Sequence, residues 1–97
     1  MGISFTIITP CRNAAQWVGG CIESVRTQSQ RDWRMIVIDD ASTDGTAAVA
    51  RSAADGDNRI RVVRNKTRKY ALRNVVEAID RYAPHDSIIA ILDGDEP

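Results

Sequence analysis

The chain has 97 residues, 43% hydrophobic and 27% charged, which is the size and composition of one ordinary globular domain. Its 13 basic and 13 acidic side chains cancel, so no overall field draws it to nucleic acid, and no apolar run approaches the roughly 20 residues that a membrane span needs. The N-terminus carries no basic segment leading into an apolar one, so the expected compartment is the cytoplasm, with Cys11 and Cys21 as free thiols.

Ile3–Thr9 is β-branched and apolar and reads as a first strand, which Pro10 is expected to end because it cannot donate to a ladder. Asn13 is placed to cap the next segment. There Trp17, Val18, Cys21, Ile22 and Val25 recur at helical spacing as far as about Gln28. Gly19 and Gly20 sit inside that helix at a cost of ~2 kcal/mol together relative to alanines, for which close packing against a sheet is the plain explanation. Trp33–Ile38 is a second strand, ending at Asp39-Asp40, and residues 41–46 are loop and cap chemistry leading into an alanine-rich helix to about Ala54. A turn at Asp55–Asn58 precedes a third strand, Ile60–Val63. Leu72, Val75, Val76, Ile79 and Tyr82 then mark a third helix, which Pro84 stops. Ser87–Leu92 is a fourth strand, with Asp93-Gly94-Asp95-Glu96 directly after it.

Strands and crossover helices in strict alternation predict an α/β fold over residues 1–97, a parallel Rossmann-like sheet with flanking helices and the strand order 3-2-1-4. Ligands of such sheets sit outside the carboxyl ends of the strands, beside the point where the order switches. Here those ends carry Pro10–Asn13, Asp39–Thr43, Arg64–Lys69 and Asp93–Glu96, which is most of the chemistry in the chain. The fourth strand is apolar on both faces, as a central parallel strand is, yet it falls at an edge. It should therefore pair with something further, either the rest of a longer protein or a second copy in a homodimer.

Asp93 and Asp95, one glycine apart after an apolar strand, can converge on a hard divalent cation that wants oxygen ligands; a polar turn is the competing reading. Asp40 can accept a hydrogen bond from a base imide or a ribose hydroxyl, while Asp39 is expected to cap the following helix and Asp44 to serve the turn with Gly45. Arg68 offers a planar fork of donors to a diphosphate, and Arg12 could do the same. Lys69 reads as a solvated loop residue. From Arg59 to Arg73 there are seven basic side chains and no acid, and most of these read as a solvated face. Neither a G-x-G-x-x-G nor a P-loop motif is present, and one histidine with two scattered cysteines gives no zinc spacing. No nucleophile and base can be paired, so no catalytic residue is assigned.

Taken in order, Phe5–Asn13, Ser24–Gln28, Ile36–Thr46 and Leu92–Glu96 resemble the N-terminal region of family 2 glycosyltransferases, over essentially the whole chain. The resemblance implies a GT-A fold that binds a nucleotide-diphospho-sugar donor, commonly UDP-linked, with Mn²⁺ or Mg²⁺, for inverting glycosyl transfer. By position, Asp40 matches the acid that contacts uracil, and Pro10, Cys11, Arg12 and Asn13 match the loop that walls the nucleotide. Asp93 and Asp95 match the DXD motif that binds ribose and metal, and Arg68 falls in a nucleotide-contacting loop. Glu96 stands where many relatives have another aspartate. The resemblance also implies that the acceptor half and its general base lie outside this sequence, making the chain an N-terminal fragment. Two rival readings are a non-catalytic binding or assembly module of the same fold and a sugar nucleotidyltransferase. The latter carries a glycine-rich loop after its first strand, which Pro10–Asn13 does not supply.

Overall fold

A computed structural model describes residues 4–28 and 32–93. Four parallel strands, β1 (Phe5–Cys11), β2 (Trp33–Asp40), β3 (Ile60–Asn65) and β4 (Ile88–Ile91), form one sheet in the order β3-β2-β1-β4. The crossovers contain α1 (Val18–Arg26), α2 (Thr46–Ala53) and α3 (Tyr70–Tyr82). Strand order, parallel pairing and the number of elements are those the alternation predicts.

Neighbouring side chains of a strand point to opposite faces, and each face closes its own core. Ile7, Met35 and Val37 pack with Val18, Ile22 and Val25 of α1 and Ala50 of α2. Ile8, Ile36 and Ile38 pack on the other face beneath Ala78 of α3, with Val63 and Val75 around them. The two central strands are therefore buried on both sides, which is why their sequences are nearly continuous apolar runs.

Several element ends differ from the sequence reading: β3 runs on to Asn65, β4 is shorter at Ile88–Ile91, and α1 stops at Arg26. The first strand continues through Pro10 to Cys11, in register with Ile38 and Asp39. Because β4 pairs with β1 only up to Ile8, β1 has a partner on one side alone beyond that point, and a proline there is tolerated as on an edge strand. Asn13 does not cap α1, which starts at Val18 with no side-chain cap. Instead Asn13 accepts from the Thr43 backbone N–H at 2.8 Å. Nor does Asp39 cap α2: its Oδ1 accepts from the Ser42 N–H in a turn, and Asp44 accepts from the Thr46 N–H at 3.0 Å where α2 begins.

The glycines of α1 also behave differently from each other. A Cβ on Gly19 would lie 3.5 Å from Val49 of α2, so this glycine faces a helix and not the sheet, whereas a Cβ on Gly20 would meet nothing within 4 Å. Close packing accounts at most for the first.

On α3 the apolar face is only half used. This helix lies across β1 and β2, burying Asn74 and Ala78, while Leu72, Val76 and Ile79 on its other flank stay exposed. Ile88 and Ile91 of β4 are exposed as well, and among the described residues β4 pairs with β1 alone. No helix among the described residues is long and apolar enough to cross a membrane.

Candidate functional site

At the carboxyl ends of the strands a cavity of about 320 Å³ opens between the β1 and β4 ends and the start of α3. Pro10, Cys11 and Arg12 from the end of β1, Asp40 from the end of β2, Arg68 from the β3–α3 connection and Asp93 after β4 all line it. Six residues chosen from sequence thus meet around one space, brought there by four separate strand ends. Leu72 and Val75 of α3 and Ile91 of β4 supply an apolar wall. Asn13 is outside the cavity lining; it ties the β1 and β2 loops together, its N–H donating to Ser42 Oγ at 2.8 Å while its side chain accepts from Thr43. Asp95, the second residue proposed for the metal, lies outside the described residues.

Asp40 accepts three hydrogen bonds. Its Oδ1 accepts from Asn65 Nδ2 at 3.0 Å and from the Lys69 N–H at 2.7 Å, and its Oδ2 accepts from the Tyr70 N–H at 2.9 Å. Two of these donors are orphan N–H groups at the start of α3, so a strand-end carboxylate does for this helix what a local cap would otherwise do. Burial alone would push this carboxyl upward; the Lys69, Asn65 and Tyr70 donors outweigh it and hold it at about 2. Asp40 is therefore ionised, and an ionised carboxylate only accepts hydrogen bonds.

Arg68 stands over the same group, with its Nε 3.7 Å from Asp40 Oδ2 and its guanidinium 4.1 Å from the Tyr70 ring centroid. That stacking orders an otherwise flexible side chain that lines the cavity. Lys69, expected to be a solvated loop residue, is tied at both ends: its backbone to Asp40, and its Nζ to Glu77 Oε1 at 2.9 Å.

Sequence reasoning missed Asn65 and Asn74. Both are buried, and Asn65 Nδ2 bridges Asp40 Oδ1 and Asn74 Oδ1, the latter at 2.8 Å. The signal was present in Asn74, a polar residue on the same helical face as Ala71 and Ala78, where a buried amide requires a partner.

Backbone strain collects here too. Asn13 (φ 51°), Ala41 (φ 59°) and Tyr70 (φ 68°) are the described non-glycine residues in the left-handed region, the first two in the β1–α1 and β2–α2 connections and the third at the first residue of α3. Each such residue costs on the order of 1–2 kcal/mol, and strain of this kind gathers where surrounding contacts over-determine a working geometry.

Asp93 is exposed at the cavity mouth and also lines a neighbouring groove with Trp17, Gly20 and Cys21. Burial, and then the Asp93 charge, raise the Cys21 thiol. No group of three or more metal-ligand side chains occurs among the described residues. Mg²⁺ and Mn²⁺ at phosphate sites are held by one or two carboxylates, with substrate oxygens and water completing the shell. Asp93, an exposed carboxylate lining the cavity, supplies one oxygen donor of that kind.

The sequence profile described as Glycosyl transferase family 2 matches residues 6–96. EpsE of Bacillus subtilis, assigned as a glycosyltransferase, is 35% identical over 96 residues, a match that covers 98% of this chain and 34% of that protein. The succinoglycan biosynthesis protein ExoU of Rhizobium meliloti is 37% identical over 92 residues, covering 93% of this chain and 25% of the other. Among solved structures, a mannosyltransferase from Pyrobaculum calidifontis in complex with GDP-Man and Mn²⁺ superposes with a TM-score of 0.82 at 24% identity, over 94% of this chain and 27% of that one. TarS of S. aureus, residues 1–349 with UDP-GlcNAc, gives 0.78 at 18% identity, over 96% of this chain and 27% of the other. The sheet is thus that of GT-A glycosyltransferases, and the chain spans about a third or less of the length of these relatives.

Proposed function

This chain belongs to glycosyl transferase family 2, and on that premise we propose that it is the donor-binding part of an inverting glycosyltransferase that takes a UDP-sugar with Mn²⁺ or Mg²⁺. The observation that carries the reading is the convergence of Arg12, Asp40, Arg68 and Asp93 on one cavity at the strand ends.

The state of Asp40 supports uracil in particular. A carboxylate has about four acceptor sites, and Asn65, Lys69 and Tyr70 occupy three of them here. The remaining site, on Oδ2, which Arg68 Nε approaches to 3.7 Å, has room for no more than a single donor. The uracil imide offers one N–H, while guanine presents two adjacent donors and asks for both oxygens. Leu72, Val75 and Pro10 would cover the base, with Arg12 and Arg68 toward the phosphates. Asp93, with Asp95, would hold the metal ion, which when bound supplies Lewis-acid stabilisation of the departing nucleoside diphosphate. The arginines would neutralise the same developing charge without moving, because Arg68 is already fixed on Tyr70. No side chain lining the cavity is assigned the proton transfer from the acceptor.

Thermal melting with UDP and Mn²⁺ tests this. A ligand at 100 times its Kd stabilises by about 2.7 kcal/mol, and each 1 kcal/mol moves the Tm of a domain this size by roughly 4–8 °C. Asp93→Ala should abolish the part of the shift that depends on Mn²⁺. A melt unmoved by millimolar UDP with Mn²⁺ would overturn the donor-binding reading. For the isolated chain we also propose that the open β4 edge pairs with a second copy, since an unpaired strand is a template for another. Sedimentation as a monomer at high concentration would refute that.

A further inference from the structure

A second recess lies at the opposite end of the sheet, where β2 and β3 begin and α3 ends. It has a volume of about 400 Å³, and Arg34, Arg59, Arg61 and Arg81 line it together with Trp33 and Tyr82. Of the four guanidinium groups, Arg59 alone has a carboxylate within ion-pair distance among the described residues, Asp57 at 2.8 Å. Stacking orders two of them: Arg59 lies 3.9 Å from the Trp33 ring centroid and Arg61 lies 5.0 Å from that of Tyr82. The indole N–H of Trp33 is buried with no acceptor among the described residues.

Arginines scattered over a solvated face would minimise their repulsion by spreading apart. These are drawn from β2, β3, α3 and the turn before β3 into one concave space, and two are stacked on aromatic rings. A guanidinium held in this way is a preorganised fork that matches phosphate oxygens; Arg61 is so held, and the exposed Arg34 and Arg81 line the same space. The volume is within the range of small-ligand sites.

We propose that this recess binds a phosphoryl group, carried either by a soluble phosphate compound or by a lipid headgroup, with Arg34, Arg61 and Arg81 as its anion ligands. Strand β2 runs from Trp33 at the recess to Asp40 at the nucleotide cavity, a rise of roughly 23 Å, so both sites can be filled at once. The proposal does not depend on the nature of the donor.

The test uses the intact chain at low ionic strength. Calorimetry with inorganic phosphate reads the soluble source, and flotation with phosphatidylglycerol-containing vesicles, against pure phosphatidylcholine, reads the lipid one. Binding in either arm that Arg34→Gln with Arg61→Gln weakens at least about tenfold supports the proposal, since each charge-assisted hydrogen bond lost is worth roughly 1.5–3 kcal/mol. Arg51→Gln with Arg73→Gln removes the same charge elsewhere and should leave binding within about threefold. Two results would overturn the proposal: no binding in either arm that depends on Arg34 and Arg61, or equal loss in the charge-matched control. UDP affinity measured on the Arg34 and Arg61 variant should equal that of the parent. That keeps failure here separate from failure at the donor cavity.

Discussion

Replacing Asp40 by Asn keeps the shape of the side chain and removes its charge. An amide cannot accept from both sides, so Oδ1 would keep its two donors, while an NH₂ group would face the Tyr70 N–H at the start of α3. The native carboxyl falls from its ordinary 3.8 to about 2. At about 1.36 kcal/mol per pH unit that step corresponds to roughly 2.4 kcal/mol, an upper value because one side of the group meets the open cavity. A loss of about 1.5–2.4 kcal/mol should lower the Tm at pH 7 by roughly 6–19 °C. The sign with pH follows from a depressed folded-state value: the carboxylate's contribution is complete above about 3.8 and disappears as pH falls through about 2. Paired melts of parent and variant between pH 7 and pH 2 should therefore show a constant gap down to about pH 4.5 and a shrinking one below. A variant melting within about 1 °C of the parent at pH 7, or a gap that persists undiminished at pH 2, would refute the claim that Asp40 anchors α3.

Gly20→Ala should raise stability by about 1 kcal/mol, read as a higher melting temperature, because the added methyl meets open space and alanine favours the helix. Ala41→Gly should stabilise by about 0.5–1 kcal/mol, the relief of a left-handed alanine (φ 59°) outweighing the entropy of glycine; chemical denaturation would show it as a higher midpoint at unchanged slope. Asp93→Asn should lower the raised Cys21 thiol, so Cys21 alkylation at pH 8 should speed up, and an unchanged rate would separate the two residues electrostatically.

Much of this protein was legible before any tertiary contact was known. Apolar β-branched runs alternating with helical periodicity determined four strands, three helices and the parallel order, because crossover handedness and strand burial leave few other arrangements. The rule that ligands gather at strand carboxyl ends then marked Pro10, Cys11, Arg12, Asn13, Asp40, Arg68, Asp93 and Asp95; six of them line one cavity, Asn13 does not, and Asp95 lies outside the described residues. What sequence could not determine was the partner of each polar group. Asn13 resembles a helix cap but serves Thr43, thirty residues away. Asp40 resembles a ligand contact, yet three of its acceptor sites are taken by Asn65, Lys69 and Tyr70. Local pattern carries periodicity and propensity, whereas hydrogen bonds between loops depend on how separate strand ends are brought side by side. The arginines around Trp33 and Tyr82 make the same point: along the chain they are scattered charges, and only the parallel register of β2 and β3 beneath the end of α3 gathers them into one recess.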